Sequence, residues 1–400
     1  MAPARIAYIS FDTVPAPKGA ATHIEAFARA LGAGFGGVEL VTVAEGLESV
    51  MCCERWPGVF HTELPAMGES LIDRVLCFRR FLELWLRGRE FEAIQFRSIF
   101  EGLPLVELAR GAKLVFEVNG LPSIELKYRY PGMEDDRELM RKILVQERVC
   151  LEAAEVVITP SGVTAGYLRS ERGVDDLKIR VIPNGVWAGC QPAAGCHPAP
   201  QMRMIYFGTL SPWQGVELGI RALAQVRASH AATLTIIGTG SGREMDSLMA
   251  LATKLGVGSA VTVLPAMSQD ELSGHLRDSD VVLAPLALND RNVVQGCCPL
   301  KILEGMAAGV PVIASDLPVV RELGCDGVHF LLVKPGSVDQ IAQAALRLAA
   351  DRELAAKIGE QGRAHVLANY TWERAGQALI TAYEEAGLKS TEGGGVPGRS

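Results

Sequence analysis

The feature that most constrains this chain is a repeated alternation of short apolar runs with helical segments. Residues 6–9 form an apolar run that ends at a loop containing Pro and Gly, and a segment with apolar residues at helical spacing follows. Buried strands are likewise predicted at 38–43, 93–96, 113–118 and 156–159, and in the second half at 204–207, 234–237, 261–264, 281–284 and 310–314. Helices are predicted at 136–153, 216–228, 243–254, 269–277 and 299–307. This alternation predicts α/β architecture with parallel sheets.

The length and the distribution of turn residues indicate two domains. At 400 residues the chain exceeds one ordinary core, and residues 184–200 are rich in Gly, Pro, Ala and Cys without periodicity, as in a linker. We predict two Rossmann-like, doubly wound parallel-sheet domains that face each other across a cleft, at 1–187 and 200–370. A last helix, 371–386, is expected to complete the first domain. The Gly-rich polar tail 390–400 is expected to be disordered.

The composition excludes several classes of protein. The net charge is −7, from 39 basic and 46 acidic residues, so nothing attracts a nucleic-acid backbone. The nine cysteines lack Cys-x-x-Cys spacing and are typical of reduced thiols, which predicts a cytoplasmic protein. No apolar run approaches the ~20 residues that a membrane-spanning helix needs, and we expect no secretory signal.

Glycine-rich loops follow the first two predicted strands of the second domain. Residues 208–215 read GTLSPWQG and residues 238–242 read GTGSG. Ligands bind beyond the carboxyl ends of parallel strands, and backbone approaches a phosphate closely at glycine. Tight turns require glycine too, so both explanations of these loops stay open.

An acidic residue interrupts the apolar helix predicted at 299–307. Glu304 in such a helix costs desolvation energy unless its carboxylate receives hydrogen bonds, and a ribose diol is a good donor. The alternative is an ion pair with Lys301, one turn earlier.

Several ordered segments together resemble the family-4 retaining glycosyltransferases, which have the two-domain GT-B fold. Residues 299–315, PLKILEGMAAGVPVIAS, resemble the family's signature helix. Residues 17–23 resemble its N-terminal glycine loop, residues 181–186 (VIPNGV) the element that closes the first domain, and residues 208–215 its G-x-L-x-x-x-K-G loop. The resemblance extends over nearly the whole chain.

This resemblance implies a set of donor-binding residues. Glu304 would bind the nucleotide ribose, while loops at Gly208, Thr209, Gly238 and Gly240 would hold the diphosphate and base. Gly296, Cys297 and Leu300 beside the signature helix, and Gln214, complete the expected donor site. Gly19 would let a first-domain loop approach the donor phosphate or the acceptor. The resemblance also implies retention of configuration without a metal or other cofactor.

The chain departs from the family pattern at charged positions. The family's diphosphate-binding Arg and Lys correspond to Thr209 and Gln214, and the first Glu of its E-x7-E pair corresponds to Gly296. The diphosphate charge that develops in the reaction still needs a cation. The candidates are Lys301, Arg291 and Arg97, although each is also typical of a solvated surface charge.

The first-domain loop 119–125 (NGLPSIE) is the expected contact for the acceptor or the donor sugar. Asn119 stands where many family members carry a histidine facing the sugar, and Asn119 and Glu125 can both bond hydroxyl groups. A plain Asn-Gly turn would also explain the loop. His23 is a further candidate for this first-domain site. The alternative is a helix residue whose hydrogen bonds are made within the fold.

Residues 74–91 combine five arginines with many apolar side chains. Such a helix can lie on an anionic membrane and would suit a lipid-linked acceptor. Packing on the sheet explains the same residues and is favoured, because any α/β helix buries an apolar stripe.

The leading hypothesis is therefore a hexosyltransferase that moves a sugar from a UDP- or GDP-type donor to a glycan, lipid-linked or small-molecule hydroxyl, in glycan, exopolysaccharide or glycoconjugate synthesis. The substitutions at Thr209, Gln214 and Gly296 leave open a binding protein that has lost catalysis. A nicotinamide-dependent oxidoreductase would need G-x-G-x-x-G directly after the first strand, and the residues after Ile9 do not supply it.

Overall fold

A computed structural model of the chain describes residues 4–44, 46, 51–109, 111–130, 132, 135–189 and 201–391. The described residues form two compact units. The first lies within Met1–Ala16, Ala20–Pro183 and Trp372–Ser400, and the second within Pro17–Gly19 and Asn184–Thr371. Most of the predicted linker (190–200) and nearly all of the predicted disordered tail (392–400) lie outside the described residues.

The first unit contains an eight-stranded sheet covered by helices. Its strands are β1 (Ile6–Ile9), β2 (Val38–Val43), β3 (Met51–Trp56), β4 (Val59–Leu64), β5 (Ala93–Phe96), β6 (Lys113–Glu117), β7 (Val156–Thr159) and β8 (Ile179–Val181). Its helices are α1 (Gly19–Phe35), α2 (Leu71–Leu86), α3 (Ile99–Leu108), α4 (Pro122–Arg129), α5 (Arg137–Ala153) and α6 (Gly162–Arg172), with the C-terminal helix α14 (Trp372–Glu385). The strand order is β3-β4-β2-β1-β5-β6-β7-β8, so the order reverses at β1 and β5.

The second unit contains a six-stranded parallel sheet. Its strands are β9 (Met202–Thr209), β10 (Ala232–Thr239), β11 (Val261–Pro265), β12 (Val281–Ala284), β13 (Val312–Ser315) and β14 (Leu331–Val333). Its helices are α7 (Val216–Val226), α8 (Gly242–Lys254), α9 (Gln269–Arg277), α10 (Leu300–Ala307), α11 (Pro318–Arg321), α12 (Val338–Ala350) and α13 (Arg352–Asn369). The order β11-β10-β9-β12-β13-β14 is the doubly wound Rossmann order, with its switch point between β9 and β12.

Local sequence fixes where the site-bearing helices begin. Ser241 caps α8 and Ser268 caps α9, each in a capping box with the glutamate three residues later. These boxes begin each helix close after β10 and β11, so the loops at the carboxyl edge of the sheet stay short.

The predicted architecture is correct, and the structure adds elements that the pattern did not reveal. The predicted strands differ from the observed ones by at most two residues at either end. The parallel sheet has one exception, because β3 pairs antiparallel with β4 in a hairpin. In β3, residues 52–55 are exposed, so this edge strand carries no buried apolar pattern to predict it from.

The described cysteines are all free thiols. Among the described residues no helix has both the length and the apolar character to cross a membrane. Helix α2 buries Val75, Phe78, Leu82 and Trp85, which is the packing predicted for the 74–91 segment. Its other face exposes Ile72, Leu76 and Leu84 by about half of their surface.

Candidate functional site

The loops after β9 and β12 meet backbone to backbone at the switch point of the second unit. Gly215 has φ +68°, and a Cβ there would lie only 1.9 Å from the carbonyl oxygen of Pro285. Asn292 ties the same two loops together, since its Nδ2 donates to the carbonyl oxygens of Trp213 at 3.0 Å and Ala287 at 2.8 Å. These contacts join the two loops at the carboxyl edge of the sheet, where ligands bind in doubly wound folds.

Close packing accounts for the two glycines at the end of β10, Gly238 and Gly240, without any ligand. A Cβ at Gly238 would lie 2.0 Å from the carbonyl oxygen of Gly208, and one at Gly240 would lie 2.8 Å from Leu210 Cδ1. Close packing between neighbouring strands thus requires Gly238. The contribution of Gly238 and Gly240 to a nucleotide site stays a prediction.

Lys301 reaches from α10 to the loop that follows β9. Its Nζ donates to Gln214 Oε1 at 2.6 Å and lies 3.9 Å from the centre of the Tyr206 ring. A Cβ at Gly208 would be 3.6 Å from the same nitrogen. The side chain is buried, and burial lowers the pKa of its ammonium to about 7, a shift that Cys297 and Glu304 oppose.

Lys301 contacts one of the two positions at which the resemblance predicts a cation and this chain has none. The family's diphosphate-binding Arg and Lys correspond to Thr209 and Gln214, and the lysine ammonium lies directly against Gln214. Tyr206 orients the loop, because its hydroxyl donates to the Thr209 carbonyl oxygen at 2.5 Å. The Lys301 side chain thus lies where the resemblance places a family cation, and its role toward a diphosphate stays a prediction.

Glu304 lies one turn after Lys301 and is partly buried. Its Oε1 accepts a hydrogen bond from Gln269 Nε2 at 3.1 Å, at the start of α9. Burial raises the pKa of this carboxyl to about 7, and the hydrogen bond from Gln269 and the charge of Lys301 act in the opposite direction. The ammonium of Lys301 donates to Gln214, and the contacts of the described residues include no ion pair between Lys301 and Glu304.

The remaining predicted donor residues surround a short π-helix, Arg291–Gln295, before α10. The Arg291 guanidinium lies 5.5 Å from the centre of the Trp213 ring and donates from Nη1 to Asn292 Oδ1 at 3.1 Å. Gly296 ends the π-helix with φ +84°, and Cys297 is buried. Leu300 begins α10, and its Cδ1 would lie 2.9 Å from a Cβ at Gly19.

In the first unit three predicted residues converge on one carboxylate that the sequence argument did not single out. Glu117, the last residue of β6, is 1% exposed. Its Oε1 receives hydrogen bonds from Arg97 Nε at 2.8 Å and from Asn119 Nδ2, and lies 2.8 Å from His23 Nε2. Tyr8 and Gln95 donate to Oε2, each at 2.6 Å.

These contacts keep Glu117 ionised. Burial alone would raise the pKa of its carboxyl, but the charges of His23 and Arg97 and the hydrogen bonds from His23 and Tyr8 outweigh burial and lower the pKa well below its usual range. A buried carboxylate with this many donors is a fixed negative centre at the carboxyl edge of the sheet.

Arg97 is held by two carboxylates inside the first unit. Besides Glu117, Asp12 Oδ2 accepts from its Nη1 at 3.1 Å, and the side chain is 9% exposed. The structure therefore does not present Arg97 as an unengaged cation for a diphosphate, and Lys301 and Arg291 are the better candidates.

His23 and Glu125 have partners near the same edge. The His23 ring lies 4.0 Å from that of Phe27 and 5.6 Å, edge to face, from that of Trp372. A Cβ at Gly120 would lie 2.4 Å from Glu125 Oε1, so the Glu125 carboxylate folds back over the Asn119-Gly120 turn. The loop predicted at 119–125 is therefore shorter than expected, because Glu125 lies in the first turn of α4 while Asn119 precedes that helix. The sugar contacts of both residues stay a prediction.

Sequence reasoning missed Glu117, Gln95 and Gln269. For Glu117 a signal existed, because a glutamate among Leu114, Val115 and Phe116 poses the same desolvation problem that singled out Glu304. Gln269 gave no signal, since a glutamine after a serine cap is ordinary at a helix start.

Comparison with solved structures defines the class. Sucrose-phosphate synthase from Thermosynechococcus elongatus superposes with a TM-score of 0.81 at 22% identity, covering 95% of this chain and 98% of that one. The Anabaena protein Alr3699/HepE in complex with UDP-glucose gives 0.72 at 17% identity, covering 95% and 99%. The fold is GT-B.

Sequence comparison defines the family. The profile of Glycosyltransferase Family 4 matches residues 17–187, and that of Glycosyl transferases group 1 matches residues 196–365. The chain belongs to the family-4 glycosyltransferases. A D-inositol 3-phosphate glycosyltransferase of Segniliparus rotundus is 28% identical over 256 residues, which are 61% of this chain. The match spans only 55% of that relative's length.

Proposed function

We propose that the chain transfers a hexose from a nucleoside-diphosphate sugar of the UDP or GDP type to a hydroxyl acceptor, with retention of configuration and without a metal. The observation that carries this proposal is the pairing on α10 of a buried lysine, Lys301, with a partly buried glutamate, Glu304, beside the glycine loop after β9. Family membership and the HepE complex with UDP-glucose support the same donor class.

The two α10 residues suit the two polar parts of a nucleoside diphosphate. The Glu304 carboxylate can accept hydrogen bonds from both hydroxyls of a ribose diol, which would repay its desolvation. The Lys301 ammonium can replace its bond to Gln214 with one to a diphosphate oxygen, and the bound anion would keep it protonated. Gln214 can then bond a further phosphate oxygen through its amide.

The chemistry asked of the protein is stabilisation of a leaving group. In transfer, the bond between the sugar C1 and the diphosphate oxygen breaks and that oxygen keeps the electron pair, while the acceptor oxygen bonds to C1 and releases its proton. Lys301, with Arg291 as a second cation, would stabilise the charge developing on the diphosphate. Metal independence is proposed on this ground, because a fixed cation takes the role of Mg²⁺.

The acceptor is assigned to the carboxyl edge of the first unit's sheet, at Asn119 and Glu125. Their amide and carboxylate oxygens suit the hydroxyls of a glycan, a lipid-linked sugar or a small molecule. We propose a role in glycan, exopolysaccharide or glycoconjugate synthesis in the cytoplasm. Contact with a membrane through the exposed α2 residues Ile72, Leu76 and Leu84 can be tested by sedimentation with phosphatidylglycerol vesicles.

A thermal-shift screen against UDP, GDP, ADP and their common sugar conjugates tests the donor assignment. A ligand at 100 times its Kd adds about 2.7 kcal/mol to the free energy of unfolding. The donor that stabilises the chain should then be hydrolysed slowly in EDTA. Lys301→Ala should lower this turnover more than it lowers donor binding. Stabilisation without turnover on any acceptor would favour the alternative, a nucleotide-sugar-binding protein that has lost catalysis.

A further inference from the structure

Glu117 contacts three of the polar residues predicted to act in the first unit, namely Arg97, Asn119 and His23. Arg97 directly follows β5, Asn119 lies two residues after β6 and His23 is in α1, so three separate segments meet at this carboxylate. The network extends to the C-terminal helix, because Gln95 donates to Glu117 and accepts from the Tyr383 hydroxyl at 2.8 Å. Four hydrogen-bond donors and the adjacent His23 ring on one buried carboxylate exceed what neutralising a single arginine requires.

The network determines how Asn119 presents its amide. Nδ2 donates to Glu117, and Asn119 is partly exposed. Oδ1 has no recorded donor among the described residues and therefore remains available to accept from a hydroxyl. A carboxylate only accepts, so it fixes the amide with Nδ2 turned inward and Oδ1 turned outward, whereas a glutamine at 117 could also donate to Oδ1 and allow the opposite orientation.

We propose that Glu117 is the positioning residue of the acceptor side: its buried carboxylate orients Asn119 so that Oδ1 receives a sugar hydroxyl, and holds Arg97 and His23 in place around it. This inference rests on the proposed function. Glu117 does not touch substrate, so its effect on turnover passes through Asn119. The donor residues Lys301 and Glu304 lie in the second unit and do not depend on it.

The test is a double-mutant cycle on turnover, read beside nucleotide affinity. Asn119→Ala should lower kcat by roughly 100-fold, as for loss of a fixed hydrogen-bonding group at the reacting sugar. Glu117→Gln should lower kcat by about 10-fold or more. The double variant should be no slower than Asn119→Ala alone, because one residue acts through the other. The Kd for the nucleoside diphosphate should stay within about twofold in all three.

Glu39→Gln is the matched control. Glu39 is also a glutamate in the sheet of the first unit, and Arg89 Nη1 donates to both of its carboxylate oxygens at 2.9 Å. The substitution removes one charge and should leave kcat unchanged. Losses that multiply in the double variant, or an equal loss of kcat in Glu39→Gln, would overturn the positioning role.

Two further measurements cover the cases in which Glu117→Gln does not fold or the unsubstituted chain is inactive. If Glu117→Gln does not fold, Tyr8→Phe removes one donor to the carboxylate without changing charge, and an unchanged kcat in that variant would overturn the proposal. Absence of turnover in the unsubstituted chain with every donor and acceptor would instead overturn the proposed function, and the positioning role with it.

Discussion

Lys301 donates a hydrogen bond to Gln214 across 2.6 Å, although 87 positions separate the two residues in the sequence. By the resemblance to the family, Gln214 stands where a lysine is expected, so Lys301 of α10 lies against the loop that lacks that cation. The donor pocket would thereby keep its positive charge with a different residue supplying it.

The pH dependence of nucleotide binding should follow the protonation of Lys301. Burial lowers its pKa to about 7 in the free protein, and a bound diphosphate would raise it, so binding takes up a proton above pH 7. Affinity for the nucleoside diphosphate should therefore fall as pH rises from 7.5 to 8.5, by up to about tenfold per pH unit. Lys301→Arg should flatten this dependence in calorimetric titrations, whereas Lys254→Arg, at an exposed site, should not.

Glu304→Ala should weaken nucleoside diphosphate binding without unfolding the chain. Loss of hydrogen bonds to a charged acceptor costs about 1.5–3 kcal/mol, roughly 10- to 150-fold in Kd. The unsubstituted chain should also discriminate against the 2′-deoxy nucleotide, and Glu304→Ala should not. Glu360→Ala, exposed on α13, serves as the control. If Glu304→Ala discriminates between the ribonucleotide and the 2′-deoxy nucleotide as strongly as the unsubstituted chain does, the assignment of Glu304 to the ribose is wrong.

Gly215→Ala should destabilise the second unit more than other glycine substitutions near the site. Its φ of +68° disfavours a side chain, and the new Cβ would lie 1.9 Å from a backbone oxygen, so the free energy of unfolding should fall by about 3 kcal/mol or more. Gly242→Ala adds a Cβ with nothing within 4 Å and should change stability by less than about 1 kcal/mol. Urea unfolding of the two variants makes the comparison.

Glu101 should make stability fall as pH rises. This side chain is fully buried at the start of α3, and burial raises its pKa to about 8, from about 4.3 in an unfolded chain. Between these values the folded protein keeps a proton that the unfolded chain releases, so stability decreases from pH 4.5 to 8. Glu101→Gln should remove this pH dependence of stability. Thermal unfolding at several pH values measures it, since each kcal/mol of stability shifts Tm by roughly 2–4 °C. Glu107→Gln, exposed on the same helix, should retain it.

The fold was largely predictable because each buried strand leaves a local apolar run. The predicted bounds of strand β12 and of helix α9 equal the observed ones. For α9, Ser268 and Glu271 form the capping box that marks its start. The edge strand β3 was missed because Cys52, Cys53 and Glu54 are exposed and carry no pattern of burial.

The candidate site was only partly predictable, because its contacts join distant segments. Lys301 and Glu304 could be proposed from one helix, but the partners Gln214 and Gln269 come from the loop after β9 and the start of α9. Arg97 shows the opposite case, since a surface charge in the sequence becomes the buried partner of Glu117 in the fold. Period and spacing do not encode such pairings.

The most direct test of the central claim is a proton NMR time course of the chain with each UDP- and GDP-sugar in EDTA. We predict that one donor releases its nucleoside diphosphate, that the first sugar formed keeps the anomeric configuration of the donor, and that Glu304→Ala slows the release. An inverted first product would contradict retention. No release from any donor, together with no stabilisation by any nucleotide, would contradict the assignment as a nucleotide-sugar-dependent glycosyltransferase.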